Sequence, residues 1–373
     1  MAFTDEIRAI ALCVQAGVPV LLEGTVGDGK TSIVESLFTR LAARHHTSIV
    51  ALHEPPEYGG YPVPREAMGD SPAGVRMLPV GWVADLAKVE TGKRAGLFLD
   101  EFSNGAPATR SATMRGVLDG VWGETKIPRL STVVAMNPPE MAESGYELSA
   151  PLSNRFCHID WDMPPEYWIE AFVADFPEPA YTTLPEDWRD NLPWAKTMVA
   201  AYGSKVPASL KRVPDEATLR SKPFPTLRSW TMATKLLAAC KAVRFGLDHN
   251  VTVLLISGCV GPGAAHEFLT YAAELDLPDP EDLLRNPGKL RLPERGDRAF
   301  AVLTAVVSAV VAKNSIPRWN AAWQVLAKAV ESGRPDVAAG SARVLASIRP
   351  KDAPLPKAID ALIPVLKTAG LLQ

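Results

Sequence analysis

Cysteine is scarce in this 373-residue chain and is never paired: Cys13, Cys157, Cys240 and Cys259 lie far apart, with no C-x-x-C spacing. A disulfide frame or a cysteine-pair zinc site is therefore not expected, and free buried thiols of a reducing compartment are. The Cys157-His158 pair has no second ligand pair beside it, so no metal is expected there either. An excess of one charge is also missing. The chain has 39 Lys and Arg against 42 Asp and Glu, a formal net charge of −3. Beyond a local patch, that balance argues against nucleic acid or an anionic membrane as the main partner. No apolar run is long enough for a bilayer: Ala299–Ala312 has 14 residues with Thr and Ser inside it. That falls short of the roughly 18 a span needs and predicts a buried helix. The N-terminus lacks a signal-peptide pattern, and there is no tandem repeat or low-complexity tract. With 47% hydrophobic and 22% charged residues, disorder is excluded and a soluble, cytoplasmic globular protein is expected.

What is present is a regular alternation. The length predicts two or three structural units. Up to about residue 160, helical spacing ("EIRAIALCVQAG") alternates with short apolar segments: "VPVLLEG", "SIVALHE", "GLFLDE", "STVVAMN" and "FCHIDW". Apolar strands with helices between them predict a mostly parallel sheet covered on both faces. Prolines and charges gather near residues 165 and 280, which predicts a core over 1–165, a helical lid over 166–280 and a helical region over 281–373.

The stretch "VLLEGTVGDGKTSIVE" carries the first chemistry. Gly24-x-x-x-x-Gly29-Lys30-Thr31 is a complete P-loop pattern between an apolar strand and an amphipathic segment. Ile33, Val34, Leu37, Phe38 and Leu41 share one helical face of that segment. Gly27 and Gly29 let backbone N–H groups converge on phosphate, and the helix N-terminus adds its dipole. Lys30 supplies a point charge, and Thr31 a hydroxyl for Mg²⁺. The candidate nucleotide contacts are thus Gly24, Gly27, Asp28, Gly29, Lys30, Thr31 and Ser32. Asp28 is unfavourable near phosphate unless its carboxylate turns to solvent. The competing reading is a glycine-rich turn with a solvated lysine.

"GLFLDE" ends an apolar strand in Asp100 and Glu101, and parallel sheets bind ligands at such strand ends. Asp100 would join Thr31 as a Mg²⁺ site, and Glu101 would polarise the attacking water. "TVVAMNPPE" ends in Asn137, placed either to orient that water or to open the Asn-Pro-Pro turn.

With these residues the chain resembles an AAA+ ATPase, and within that class the MoxR family. "GTVGDGKT", "LFLDEFSNGAP", "VVAMNPPE", "PLSNRF" and "FPTLRSW" carry the resemblance over about residues 5–275. It implies a five-stranded parallel P-loop core, a helical lid, Mg-dependent ATP hydrolysis and a hexameric ring with ATP between subunits. It also implies Arg155 as an arginine finger reaching a neighbour's γ-phosphate, and Arg228 as the lid arginine that senses the nucleotide. Ser-Asn stands before Arg155 where the family more often has Leu-Asp. For either arginine, the plain alternative is an exposed base. Family members commonly act on a partner bearing a von Willebrand factor A domain. An insertion at about 54–83, with Tyr58, Tyr61 and Trp82, is expected to face a substrate or fold back on its own domain.

Two other classes remain open: an ATP-gated oligomeric scaffold with negligible turnover, and an NTPase subunit of a nucleic-acid-directed system. A kinase fits least, because Glu101 with Asn137 describes water activation. "VLLISGCVGPGAAHEF" imitates a second P-loop but lacks Lys-Ser/Thr, and reads as a helix pair broken by glycine. His45-His46 reads as a solvated helix end.

Overall fold

The computed structural model describes residues 3–66, 73–138, 141, 148–216, 218–275 and 277–363. Among these, the strands in chain order are β1 (Val20–Gly24), β2 (Arg44–Ile49), β3 (Tyr61–Arg65), β4 (Gly74–Leu78), β5 (Ala95–Asp100), β6 (Val121–Trp122), β7 (Thr125–Lys126), β8 (Leu130–Met136) and β9 (Cys157–Trp161). Five of them form a parallel sheet in the order β2-β5-β8-β1-β9. This is an α/β architecture, a five-stranded parallel sheet flanked by helices with further helical regions, and the parallel sheet is what the apolar strand pattern predicts.

The central strands β1, β5 and β8 are almost continuously buried because both faces of the sheet are covered. On one side lie Leu21, Leu97, Leu99 and Val134 with Val50, Phe102 and Phe156. The first two helices, α1 (Thr4–Ala16) and α2 (Lys30–Leu41), bury Ile7, Ile10, Val14, Val34, Leu37 and Phe38. Ile33 and Leu41, expected on the same α2 face, are half-buried at its margin. The Phe38 ring packs so close to β5 that a Cβ on Gly96 would lie 2.9 Å from it.

Register brings the site together. Glu23 of β1 is level with Met136 of β8, and Leu99 of β5 with Val134 of β8. The residues that follow these strands therefore share one edge of the sheet.

One local expectation is corrected, and the insertion, whose two readings were open, takes a definite form. His45 and His46 lie within β2, where His46 stacks on Trp82 at 5.1 Å, because α2 already ends at Leu41. The insertion is built rather than loose: a Pro55–Gly59 helix, the antiparallel β3/β4 hairpin and a Gly81–Ala87 helix. Its aromatics divide accordingly. Tyr58 is 2% exposed and bonds Ser48 at 2.7 Å, Trp82 packs on Tyr58 and Trp122, and Tyr61 stays exposed. Residues 67–72 of the insertion lie outside the described residues.

The chain divides into two compact units, Met1–Pro185 with Lys211–His266, and Glu186–Leu210 with Glu267–Gln373. The divisions differ from those expected near 165 and 280. The first unit retains the Leu227–Ala242 and Asn250–Val260 helices because both pack on α1, and the latter also on β9. A Cβ on Gly258 would lie 2.2 Å from the His158 carbonyl oxygen, so that contact is backbone against backbone. In the second unit the Leu192–Lys205 helix packs along Gly296–Ala312, the buried helix expected from its apolar run. Among the described residues no helix is long and apolar enough to cross a membrane.

Candidate nucleotide site

Gly24 ends β1 pressed against β9: a Cβ there would lie 2.1 Å from the Trp161 carbonyl oxygen. Gly27 (φ 88°) and Gly29 (φ 66°) adopt left-handed backbone that other residues enter only at a cost. The loop then runs directly into α2, whose N-terminus no side chain caps. First-turn N–H groups at such a terminus suit an anion.

The loop is braced from within. Trp161 Nε1 donates to the Asp28 carbonyl at 2.7 Å, and the Thr25 hydroxyl donates to the Asp28 carboxylate. The carboxylate thus bonds within its own loop, where Asp28 is half-buried. Neither brace is visible in the P-loop pattern. Trp161 has a weak sequence signal, as the last residue of the strand that neighbours β1.

Lys30 is 8% exposed. Its ammonium donates to the carbonyls of Gly24 (2.7 Å) and Thr25 (2.5 Å) and to Asn137 Oδ1 (3.3 Å). Burial pulls its pKa below the usual lysine value, and the charges of Asp28 and Asp100 oppose that fall. Thr31 Oγ1 donates to Asp100 Oδ2 at 2.7 Å, joining the P-loop helix to the end of β5. Glu101 is exposed, with its amide donating to Asp100 Oδ1 at 2.8 Å. Its backbone is left-handed (φ 51°, ψ 40°), a strained state for glutamate. Asn137 is fixed by its amide, which donates to Ser103 Oγ at 3.2 Å. Ser103 escaped the sequence reading, although it stands two residues after Glu101.

These groups surround a cavity of about 300 Å³, lined by Val26 to Ser32, Asp100, Glu101 and Asn137 among others. Thr31 and Asp100 offer two hard oxygens side by side, which fits Mg²⁺ completed by phosphate oxygens and water. Among the described residues no cluster of three or more His, Cys, Asp or Glu is placed to hold a metal by itself. All four cysteines are free and buried.

Arg155 and Arg228 are not in this cavity. Arg155 precedes β9, whose Cys157 is level with Val20 at the start of β1. The P-loop follows the other end of β1, roughly 13 Å further at about 3.3 Å per residue. Arg155 donates to the Pro151 carbonyl and is half-buried, and burial and then Arg228 lower its pKa while Asp119 opposes. Arg228 is exposed on the first turn of the Leu227–Ala242 helix, which Thr226 caps. The two arginines thus lie within electrostatic reach of each other. The glycine-broken pair is as expected: helix Asn250–Val260, Gly261 at φ 85°, then helix Pro262–Ala273. It borders a separate cavity of about 560 Å³.

No protein-family model matches the chain, and no curated protein matches it. Among solved structures, a crystal structure of a candidate ATPase from Cytophaga hutchinsonii is similar at 16% identity and a TM-score of 0.33, over 65% of this chain and 84% of that one.

Proposed function

We propose that this protein binds ATP with Mg²⁺ and hydrolyses it, as a MoxR-like AAA+ ATPase that remodels or matures a protein partner. The observation that carries the reading is the 2.7 Å bond between Thr31 and Asp100 at the edge of a cavity that also holds Lys30, Glu101 and Asn137. A glycine-rich turn has no need of that convergence from three strand ends.

In this reading the loop amides and Lys30 bind the phosphates, and Thr31 and Asp100 hold the metal. Mg²⁺, when bound, neutralises phosphate charge. Glu101 accepts the proton of the attacking water, and Asn137 orients it. Lys30 leaves the carbonyls of Gly24 and Thr25 to reach phosphate, a short exchange of one set of acceptors for a stronger one.

Arg155 lies outside its own cavity, towards the other end of β1. It acts in a neighbouring copy, which supports a ring, with a hexamer as the working expectation and a von Willebrand factor A domain protein as the candidate partner. Arg228 belongs to the same surface.

The test is ATP turnover per subunit as protein concentration rises, with Arg155→Ala and Glu101→Gln alongside. Turnover should rise with concentration. Glu101→Gln should bind ATP normally and lose about 10²–10⁴-fold in rate. Arg155→Ala should bind ATP and fail to turn it over. Flat turnover with a dispensable Arg155 would refute the shared site. No hydrolysis at any concentration would leave the ATP-gated scaffold as the better account.

A further inference from the structure

The Pro165–Val173 helix, directly after β9, buries none of its residues. Tyr167 anchors it, with its ring 4.8 Å from that of Phe3, which packs at 4.7 Å on Trp161. The opposite face is a stripe at helical spacing. Trp168 is 46% exposed, Ile169 54%, Phe172 57%, Val173 79% and Phe176 56%. Trp168 and Phe172 stack at 4.9 Å and 12°, and Phe176 closes on Phe172 at 6.0 Å.

Phe176 lies beyond the helix, and the backbone works to bring it back. Asp175 (φ 57°) and Phe176 (φ 49°) are both left-handed, and the Phe176 amide donates to the Ala171 carbonyl at 2.6 Å. A chain that only needed to stop a helix would place glycine there. Strained backbone at two non-glycine positions holds a third ring on an exposed stack. An exposed apolar patch on the order of several hundred Å² marks an interaction surface.

Charge selects the occupant. Between Arg155 and Arg189 the sequence has no Lys or Arg, while Asp160, Asp162, Glu166, Glu170, Asp175 and Glu178 fall in the same span. Glu178 is paired with Arg40, whereas Glu166, Glu170 and Asp175 are exposed and interleave with the rings along the chain. Such a rim repels anionic lipid and nucleic acid. We infer that this face docks a basic amphipathic segment of a partner polypeptide, with aliphatic side chains seated on the rings and Lys or Arg on the acidic rim. The inference stands apart from the nucleotide site.

The test uses the full chain and a fluorescein-labelled helical peptide with leucines on one face and lysines on the other, followed by anisotropy. A matching leucine–glutamate peptide is the control. Saturable binding to the lysine peptide is expected, weakened at least about tenfold in W168A/F172A/F176A. Glu166→Lys with Glu170→Lys should weaken binding and flatten its salt dependence. Because these side chains are exposed, both variants should melt with the wild type, which separates lost docking from lost folding. No saturable binding, equal binding of the glutamate peptide, or an unaffected triple variant overturns the inference. A smaller oligomer for the triple variant in light scattering also overturns it, because the face would then join copies of this chain.

Discussion

At the scale of the residue, Glu101 is where structure and chemistry disagree most usefully. Its left-handed backbone costs about 1–2 kcal/mol for a residue with a Cβ, and its side chain is exposed, so little burial offsets that cost. The strained residue lines the cavity beside Asp100. Glu101→Gly should therefore stabilise the protein by about 0.5–1 kcal/mol, after the added freedom of the unfolded chain is deducted. It should abolish turnover at the same time. Denaturant unfolding alongside an ATPase assay checks both; a destabilised Glu101→Gly would show that the strain is not stored there. The residue types of this site were legible because chemistry restricts them. A glycine-lysine-threonine loop and an acid pair at a strand end have few other uses. The braces were not legible: that Trp161 supports Asp28 and Ser103 supports Asn137 depends on which strands become neighbours.

At the scale of the element, β9 shows how burial sets a pH dependence. His158 on that strand is 7% exposed, and its Nε2 lies 3.0 Å from the Ser153 carbonyl. A carbonyl can only accept, so Nε2 carries the proton, and Nδ1 is buried without a partner among the described residues. Burial pushes the His158 pKa down, against the opposing pull of the Ser153 bond. The sign follows. The unfolded chain takes up the proton near the ordinary histidine value, about 6.5, while the folded chain resists it. Stability is thus full above that value and falls as pH drops towards the lower folded pKa. The denaturation midpoint should be lower at pH 5.5 than at pH 7.5, and His158→Gln should shrink the difference. Part of the slope should persist, because burial lowers the pKa of His46 on β2 as well, with help from His53 and His45. An unchanged slope in His158→Gln would remove His158 from the account. Elements such as β9 were legible in the sequence as apolar runs between turn signals. The hairpin and its flanking helices were not, because Pro and Gly mark turns without saying that the pieces between them pair or that Tyr58 and Trp82 pack inward.

At the scale of the whole molecule, each unit has its own apolar interior. In the Glu267–Gln373 part of the second unit, Val302, Leu303, Val306, Trp319, Trp323 and Leu326 gather in one cluster. The Trp319 indole N–H donates to the Leu345 carbonyl at 2.8 Å, joining the Ile316–Glu331 and Pro335–Ser347 helices. A boundary near 280 looked natural from its prolines, yet composition cannot report that Leu192–Lys205 crosses to the later helices: that return is a tertiary choice made by its buried Ala195, Met198 and Ala201. The P-loop, Asp100, Glu101 and Asn137 all belong to the first unit. A defect in the second core should therefore leave nucleotide binding intact. Trp319→Ala removes a side chain 1% exposed and strands the Leu345 carbonyl, at a cost of about 3–5 kcal/mol. Calorimetry should show one transition shifted to lower temperature and the other in place. A fluorescent ATP analogue should bind the variant below the shifted transition with wild-type affinity. If both transitions move together, or if binding is lost with them, the units fold as one body and the nucleotide site depends on the second core.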